Sequence, residues 1–123
     1  SYNSNPLSLR SAILNYDKID QKNSQKYLLL GDMLELGKHS KKLHEFIPLL
    51  INKTSIDKVY VKGKIISSIF KKFNKNKKGR VLTKKSNITE FIKKDLNNND
   101  YLMIKASNAT GFNKIVKGLK GFN

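Results

Sequence analysis

Two acidic side chains, Asp32 and Glu35, lie in a short segment bounded by glycines, Gly31-Asp32-Met33-Leu34-Glu35-Leu36-Gly37. The chain has only 9 acidic residues, so two of them this close together form a notable local concentration. Carboxylates attract ammonium groups at short range, and this segment could therefore recognise an amine. The alternative is an ordinary strand-to-helix loop in which Asp32 caps a turn.

A second candidate segment follows an apolar run near the end of the chain and reads Lys105-Ala106-Ser107-Asn108-Ala109-Thr110-Gly111. A lysine followed by small hydroxyl and amide side chains at the start of a helix can bind a carboxylate or a phosphate, because the first backbone N–H groups of a helix have no partner within it. The alternative is that Ser107 or Thr110 caps the helix and that Lys105 is solvated.

The opening residues form the third candidate segment, Ser1-Tyr2-Asn3-Ser4-Asn5-Pro6. If a strand precedes them, Tyr2, Asn3 and Asn5 lie at a strand-to-helix turn. Asparagine amides can hydrogen-bond a ribose or a purine edge, and Tyr2 could stack on a base. Asn5 before Pro6 is also a favoured way to begin a helix, so the alternative is that Asn5 only caps and Tyr2 only packs.

Alternating apolar patterns predict the elements that position these segments. A short continuous apolar run at 27–30 predicts a strand buried on both faces. Further strands are predicted at 59–61, 80–83 and 101–104. Apolar residues at helical spacing predict amphipathic helices between and around them. The apolar sets of these helices are Leu9, Ile13 and Tyr16; Leu43, Phe46, Ile47, Leu50 and Ile51; Ile65, Ile66, Ile69, Phe70 and Phe73; Ile88, Phe91, Ile92 and Leu96; and Phe112, Ile115, Val116 and Leu119.

This alternation of strands and helices predicts one α/β domain over residues 1–123, with a Rossmann-like, mostly parallel sheet and helices on both faces. Right-handed crossovers place the carboxyl ends of parallel strands along one edge. The candidate segments that follow strands are therefore expected at that edge. Within the second helix, Pro48 predicts a kink or a tightened turn.

The net charge of +16, from 25 basic and 9 acidic residues, raises the expectation of a polyanionic partner. Only Arg10 and Arg80 are arginines, however, and arginine is the preferred reader of guanine edges and phosphates. Two interpretations remain open. One is a Lys-rich nucleic-acid-binding α/β domain, and the other is a solvated surface whose abundance of Lys, Asn and Ile reflects an AT-rich genome.

The chain lacks the residues that several classes of functional site require. The chain has no cysteine, which excludes disulfides, thiolate metal sites and a cysteine nucleophile. Its 2 histidines have no matching carboxylate spacing for a metal, and no P-loop or dinucleotide-binding glycine motif is present. No apolar run approaches the roughly 20 residues of a membrane span, and no signal peptide is recognisable. We expect a cytoplasmic protein and, because the opening residues read as the middle of a motif, a segment of a longer chain.

Two of the blocks, Tyr-Asn-Ser-Asn-Pro at 2–6 and Gly-Asp-Met-Leu-Glu-Leu-Gly at 31–37, resemble in order and spacing the C-terminal domain of MurF-type Mur ligases. The similarity continues through Ser40 and His44 to the Lys-x-Ser motif at 105–107 and so spans essentially the whole chain. Two positions depart from the family pattern, since Ser4 replaces alanine and Ala106 replaces glycine.

The resemblance implies the Rossmann-like C-terminal domain of a three-domain enzyme. Such a ligase uses ATP and Mg²⁺ to add D-alanyl-D-alanine to UDP-N-acetylmuramoyl-tripeptide in peptidoglycan synthesis. The implied partners are the N-terminal and central P-loop domains of the same ligase and its two substrates, with no membrane and no nucleic acid. The domain alone is expected to be inactive and to bind no cofactor.

The resemblance also implies which residues contact the nucleotide and which contact the dipeptide. On the nucleotide side of the cleft it places Tyr2, Asn3 and Asn5. Facing the incoming dipeptide it places Asp32, Met33, Glu35, Lys105, Ser107 and Asn108. It implies no catalytic residue and no metal ligand within this segment.

Overall fold

The computed structural model describes residues 6–20, 22–33, 42, 44–83, 87–105 and 113–117. Within these ranges five strands form one sheet in the order β3-β2-β1-β4-β5. The strands are β1 Lys26–Gly31, β2 Lys58–Lys62, β3 Lys78–Val81, β4 Tyr101–Lys105 and β5 Asn113–Lys117. The first four strands are parallel, and β5 is antiparallel to β4. The predicted α/β, Rossmann-like class is confirmed.

The described helices cover both faces of the sheet. They are α1 Pro6–Asp17, α2 Phe46–Ile51, α3 Lys64–Ser68 and α4 Asn87–Asp95, with short 3-10 turns at Phe70–Lys72 and Lys75–Lys77. Each links successive parallel strands or precedes the first, as a crossover topology requires.

Two apolar cores lie on opposite faces of the sheet. Because side chains alternate between faces along a strand, β1 contributes Leu28 and Leu30 to one core and Tyr27 and Leu29 to the other. The core beneath α1, α2 and α3 contains Leu9, Ile13, Tyr16, Leu28, Leu30, Met33, Ile47, Ile51, Ile56, Val59, Val61, Ile66, Ile69, Phe73 and Met103. The core beneath α4 contains Tyr27, Leu29, Tyr60, Leu82, Phe91, Leu96, Leu102 and Ile104.

The last predicted helix is wrong. The apolar set Phe112, Ile115, Val116 and Leu119 suggested helical spacing, but residues Asn113–Lys117 form β5. Met103 of β4 pairs with Ile115, so the strand satisfies backbone groups that would otherwise be unpaired along the open edge of β4. The β-branched side chains of Ile115 and Val116 also favour extended backbone.

Two further predicted helices are interrupted. Lys42 and His44 are helical, Glu45 forms a turn, and α2 then begins at Phe46. Pro48 has no N–H to bond the carbonyl of His44, which accounts for the interruption that the sequence predicted. The helix predicted through residues 65–73 is divided in the same way, because α3 ends at Ser68 and a separate 3-10 turn follows.

Acidic side chains bind backbone N–H groups at the edge where the strands begin. Asp57 accepts a hydrogen bond from the N–H of Lys26 at 2.8 Å, and Asp100 accepts one from the N–H of Gln25 at 2.9 Å. On the same side, Lys77 donates to the carbonyls of Thr54 and Ile56. This edge is therefore held together by side chain-to-backbone bonds that occupy several of the chain's few acids.

Two buried tyrosines predict instability at alkaline pH. Burial raises the pKa of Tyr16 and of Tyr60 well above the ordinary value, and the hydrogen bond from Tyr60 to Asp95 raises the latter further. The unfolded chain loses these protons at about pH 10. The contribution of the two tyrosines to the free energy of unfolding is therefore fully present below that pH and is lost above it. Each tyrosine should steepen the fall by about 1.4 kcal/mol per pH unit.

The measurement is an alkaline titration that follows tyrosinate absorbance together with circular dichroism. Tyr60→Phe keeps the ring and leaves every lysine unchanged, so its shallower loss of stability isolates the tyrosine contribution. Ionisation of all tyrosines near pH 10 in a chain that stays folded would contradict this prediction.

Candidate functional site

The carboxyl ends of β1, β2 and β4 lie side by side. Gly31 pairs with Lys62 of β2, and Leu30 pairs with Lys105 of β4. Asp32 directly follows β1, and Lys105 ends β4. The acidic segment and the lysine-bearing segment thus leave the sheet at one edge, as the crossover topology predicted.

Two hydrogen bonds fix the position of the last turn of α1. Tyr16 donates a hydrogen bond to the carbonyl of Tyr27 at 2.7 Å, and the buried Lys26 Nζ donates to the carbonyl of Asp17 at 2.6 Å. The end of α1 therefore lies beside the start of β1.

The Asp32 carboxylate binds the first turn of α3. Its Oδ1 accepts a hydrogen bond from the N–H of Ile66 at 2.8 Å, and its Oδ2 accepts one from the N–H of Ile65 at 3.3 Å. These are backbone donors that α3 itself cannot satisfy. Asp32 therefore caps a turn, which is the contact that the alternative interpretation predicted.

Gly63 leaves the space in which this carboxylate fits. A Cβ added at Gly63 would lie 2.6 Å from the Asp32 Cγ, well inside contact distance. Gly63 also has φ 136° and ψ 155°, a backbone conformation that is essentially restricted to glycine. The turn between β2 and α3 thus depends on glycine for two separate reasons.

Met33 is tied to the helical turn that precedes α2. Its N–H donates to Nε2 of His44 at 3.0 Å, which requires that nitrogen to be unprotonated. Both side chains are buried, and Met33 packs in the core beneath α1 to α3. His44 is therefore a packed core residue, and Met33, which is 0% exposed, offers no surface to a ligand in this structure.

Lys105 is half-buried at the end of β4. Burial lowers the pKa of its ammonium group, because the charged form loses part of its hydration. A cation in such a place gains more from an anionic ligand than a fully hydrated surface lysine does.

The other predicted site residues lie outside the described part of the chain, and their roles stay predictions. They are Tyr2, Asn3, Asn5, Glu35, Ser107 and Asn108. Within the described ranges no group of three histidine or acidic side chains could hold a metal ion. In the same ranges, no helix has the length and apolar character needed to cross a bilayer.

Sequence reasoning did not identify Lys62 and Gly63 as part of this edge. Their signal was present, because a glycine directly after a short apolar strand often marks close approach of another group. What approaches Gly63 is the Asp32 carboxylate, which is distant in sequence. Only the pairing of β1 with β2 brings the two residues together.

Comparison with known proteins identifies the family and agrees with the fold. The UDP-N-acetylmuramoyl-tripeptide–D-alanyl-D-alanine ligase of Bacillus subtilis (strain 168) is 31% identical over 123 residues, which cover 97% of this chain and 26% of that protein. The chain is a homologue of one segment of the MurF-type Mur ligases. The resemblance predicted from the sequence is confirmed.

A second relative gives the same result. The ligase of the same name from Buchnera aphidicola subsp. Acyrthosiphon pisum (strain APS) is 31% identical over 121 residues, covering 97% of this chain and 25% of that protein. The chain thus spans about a quarter of the length of the curated relatives that it matches. No family model matches it.

Among solved structures, the MurF ligase from Thermotoga maritima in complex with ADP has the same fold, with a TM-score of 0.63. That match has 24% sequence identity and covers 89% of this chain and 24% of the other. Nothing in these comparisons favours the nucleic-acid alternative.

Proposed function

We propose that residues 1–123 are the C-terminal domain of an ATP-dependent MurF-type ligase that adds D-alanyl-D-alanine to UDP-N-acetylmuramoyl-tripeptide. The observation that carries this proposal is 31% identity over 97% of the chain to two proteins of that name. The grouping of Asp32 and Lys105 at one edge of the sheet supports it, because ligands of open α/β sheets bind at the carboxyl ends of the strands.

The proposed reaction forms an amide bond. The tripeptide carboxylate takes the terminal phosphoryl group of ATP, giving an acyl phosphate and ADP. The dipeptide amine then attacks the acyl carbon, the C–N bond forms, the C–O bond to phosphate breaks, and the amine loses a proton. Such chemistry depends mainly on positioning and charge neutralisation.

This chain would contribute binding groups to that reaction. Lys105, with Ser107 and Asn108, would bind the anionic end of the dipeptide, and the acidic segment at 31–37 would complete the dipeptide side. Tyr2, Asn3 and Asn5 would contribute to the nucleotide side, and ADP in the Thermotoga maritima neighbour supports nucleotide binding in the family. Mg²⁺ would be held by other parts of the ligase.

The chain by itself is proposed to be inactive, because the groups that grip the ATP phosphates belong to a central P-loop domain. Its partners are then that domain and the N-terminal domain of the same ligase, in the cytoplasm where UDP-linked precursors and ATP are present. The +16 charge is a property of its surface in this proposal and not a nucleic-acid site.

The test uses the longest reading frame that contains these residues, purified alongside the 123-residue chain. ADP release that requires both UDP-N-acetylmuramoyl-tripeptide and D-alanyl-D-alanine, together with the ligated product, is expected from the longer protein only. Turnover by the 123-residue chain alone, or a longer protein that folds and binds ATP but forms no product, would contradict the proposal.

A further inference from the structure

We propose that Asp32 is a positioning residue, which holds the β2–α3 turn against the end of β1 so that this edge is preformed for its ligand. This proposal rests on the proposed function only for the identity of the ligand, which is the dipeptide. It replaces the direct contact with the dipeptide amine that the sequence suggested for Asp32.

Both oxygens of the Asp32 carboxylate are already engaged by α3. They accept hydrogen bonds from the N–H groups of Ile65 and Ile66, and the turn before α3 offers no side-chain cap of its own because Gly63 occupies the capping position. An ammonium ion that took over the carboxylate would leave two backbone donors without acceptors. Such a loss opposes binding, because unsatisfied donors are costly.

The carboxylate is also enclosed on the side of Gly63. A Cβ added at Gly63 would lie 2.6 Å from both Cγ and Oδ1 of Asp32. The turn therefore packs directly against the carboxylate. Asp32 is therefore an internal link between two adjacent strand ends and does not present an open face there.

The next residue fixes the segment in a second direction. Met33 donates its N–H to His44, so consecutive residues after β1 are joined to α3 through Asp32 and to the turn before α2 through Met33. Two bonds of different orientation define how the chain leaves β1. The geometry points to a preorganised edge, and preorganisation reduces the cost of binding.

The first experiment is a double-mutant cycle on the 123-residue chain with Asp32→Ala and Gly63→Ala. Each single variant should raise the unfolding equilibrium constant by about tenfold or more, from a lost cap or from a clash with strained backbone. Because the added Cβ meets the carboxylate, Gly63→Ala should cost about fivefold less when Asp32 is already alanine. Additive effects would overturn the proposal.

The second experiment is spectroscopic and uses the conservative Asp32→Asn, which keeps the side-chain shape. In the unsubstituted chain the amide proton shifts of Ile65 and Ile66 should follow the protonation of a carboxylate as pH is lowered. Asp32→Asn should abolish that response, whereas Glu45→Gln, at another half-exposed acid, should leave it intact. Retention of the response in Asp32→Asn would overturn the proposal.

The third experiment separates positioning from contact in the longer ligase. Loss of positioning should lower kcat by about tenfold, whichever substrate is varied. Loss of a direct amine contact should instead raise the KM for the dipeptide alone. The second pattern in Asp32→Asn would overturn the assignment. If the longer protein has no ligase activity, the proposed function fails, and the cycle and the amide titration still decide the role of Asp32.

Discussion

Replacing Asp100 by alanine is expected to lower the free energy of unfolding by about 3 kcal/mol. Asp100 is buried, with 3% of its surface exposed. Its two carboxylate oxygens accept hydrogen bonds from the N–H of Gln25 and the N–H of Asn97, each at 2.9 Å. These bonds join the start of β1 to the turn between α4 and β4.

The size of this effect follows from the two donors that the substitution leaves without an acceptor. A hydrogen bond to a charged group contributes roughly 1.5–3 kcal/mol, and the two bonds to Asp100 are both partly buried. Since small domains are stable by about 5–15 kcal/mol, the loss is a large fraction of the total. Chemical denaturation with an unchanged m-value would measure it.

Asp20→Ala is the matched control, because it removes the same charge from an exposed position. Its effect should stay within about 0.5 kcal/mol. Asp100→Asn should fall between the two, since an amide retains one acceptor oxygen. Equal stabilities of the Asp100→Ala and Asp20→Ala variants would show that the network at this edge contributes nothing.

Replacing Lys105 by methionine is expected to lower kcat/KM for the dipeptide by about 100-fold in the longer ligase, a loss of about 2.7 kcal/mol in transition-state binding. Methionine keeps most of the apolar stem and removes only the charge. The half-buried position at the end of β4 should make the charge matter more than it would on an open surface, because partial burial reduces screening.

Steady-state kinetics with varied dipeptide at saturating ATP and UDP-linked tripeptide would measure this loss. Lys94→Met on α4 is the control, since Lys94 is exposed and the carbonyl of its neighbour Asp95 accepts a hydrogen bond from Tyr27, near the start of β1. Lys105→Arg should recover part of the activity by restoring the charge. Unchanged kcat/KM in Lys105→Met, with folding intact, would remove Lys105 from the proposed site.

Local pattern was enough to locate β1, β2 and β4, whereas β3 begins at Lys78, two residues before the predicted start. Runs such as Tyr27-Leu28-Leu29-Leu30 are apolar on every residue, and only burial on both faces explains such a run at strand length. The structure places them in β1 with neighbours on either side. The alternation with helices then left few topologies, because crossovers between parallel strands are right-handed.

The conformation of β5 could not be predicted from local pattern, because it depends on pairing with β4. Over so few residues, the spacing of Ile115 and Val116 fits a helix face as well as a strand, and the preference of their β-branched side chains for extended backbone is weak on its own. The open edge of β4 supplied backbone donors and acceptors, and residues Asn113–Lys117 paired with it. The sequence of that segment alone does not contain this information.

The amino-acid sequence by itself determined the α/β class, the family resemblance and the edge at which the chain leaves β1 and β4, since each depends on residues close together in the chain. Tertiary structure alone decided what Asp32 does, because its partners are about thirty residues away and reach it only through the pairing of β1 with β2. A carboxylate takes its role from the donors that surround it, and those donors are assembled only by the fold.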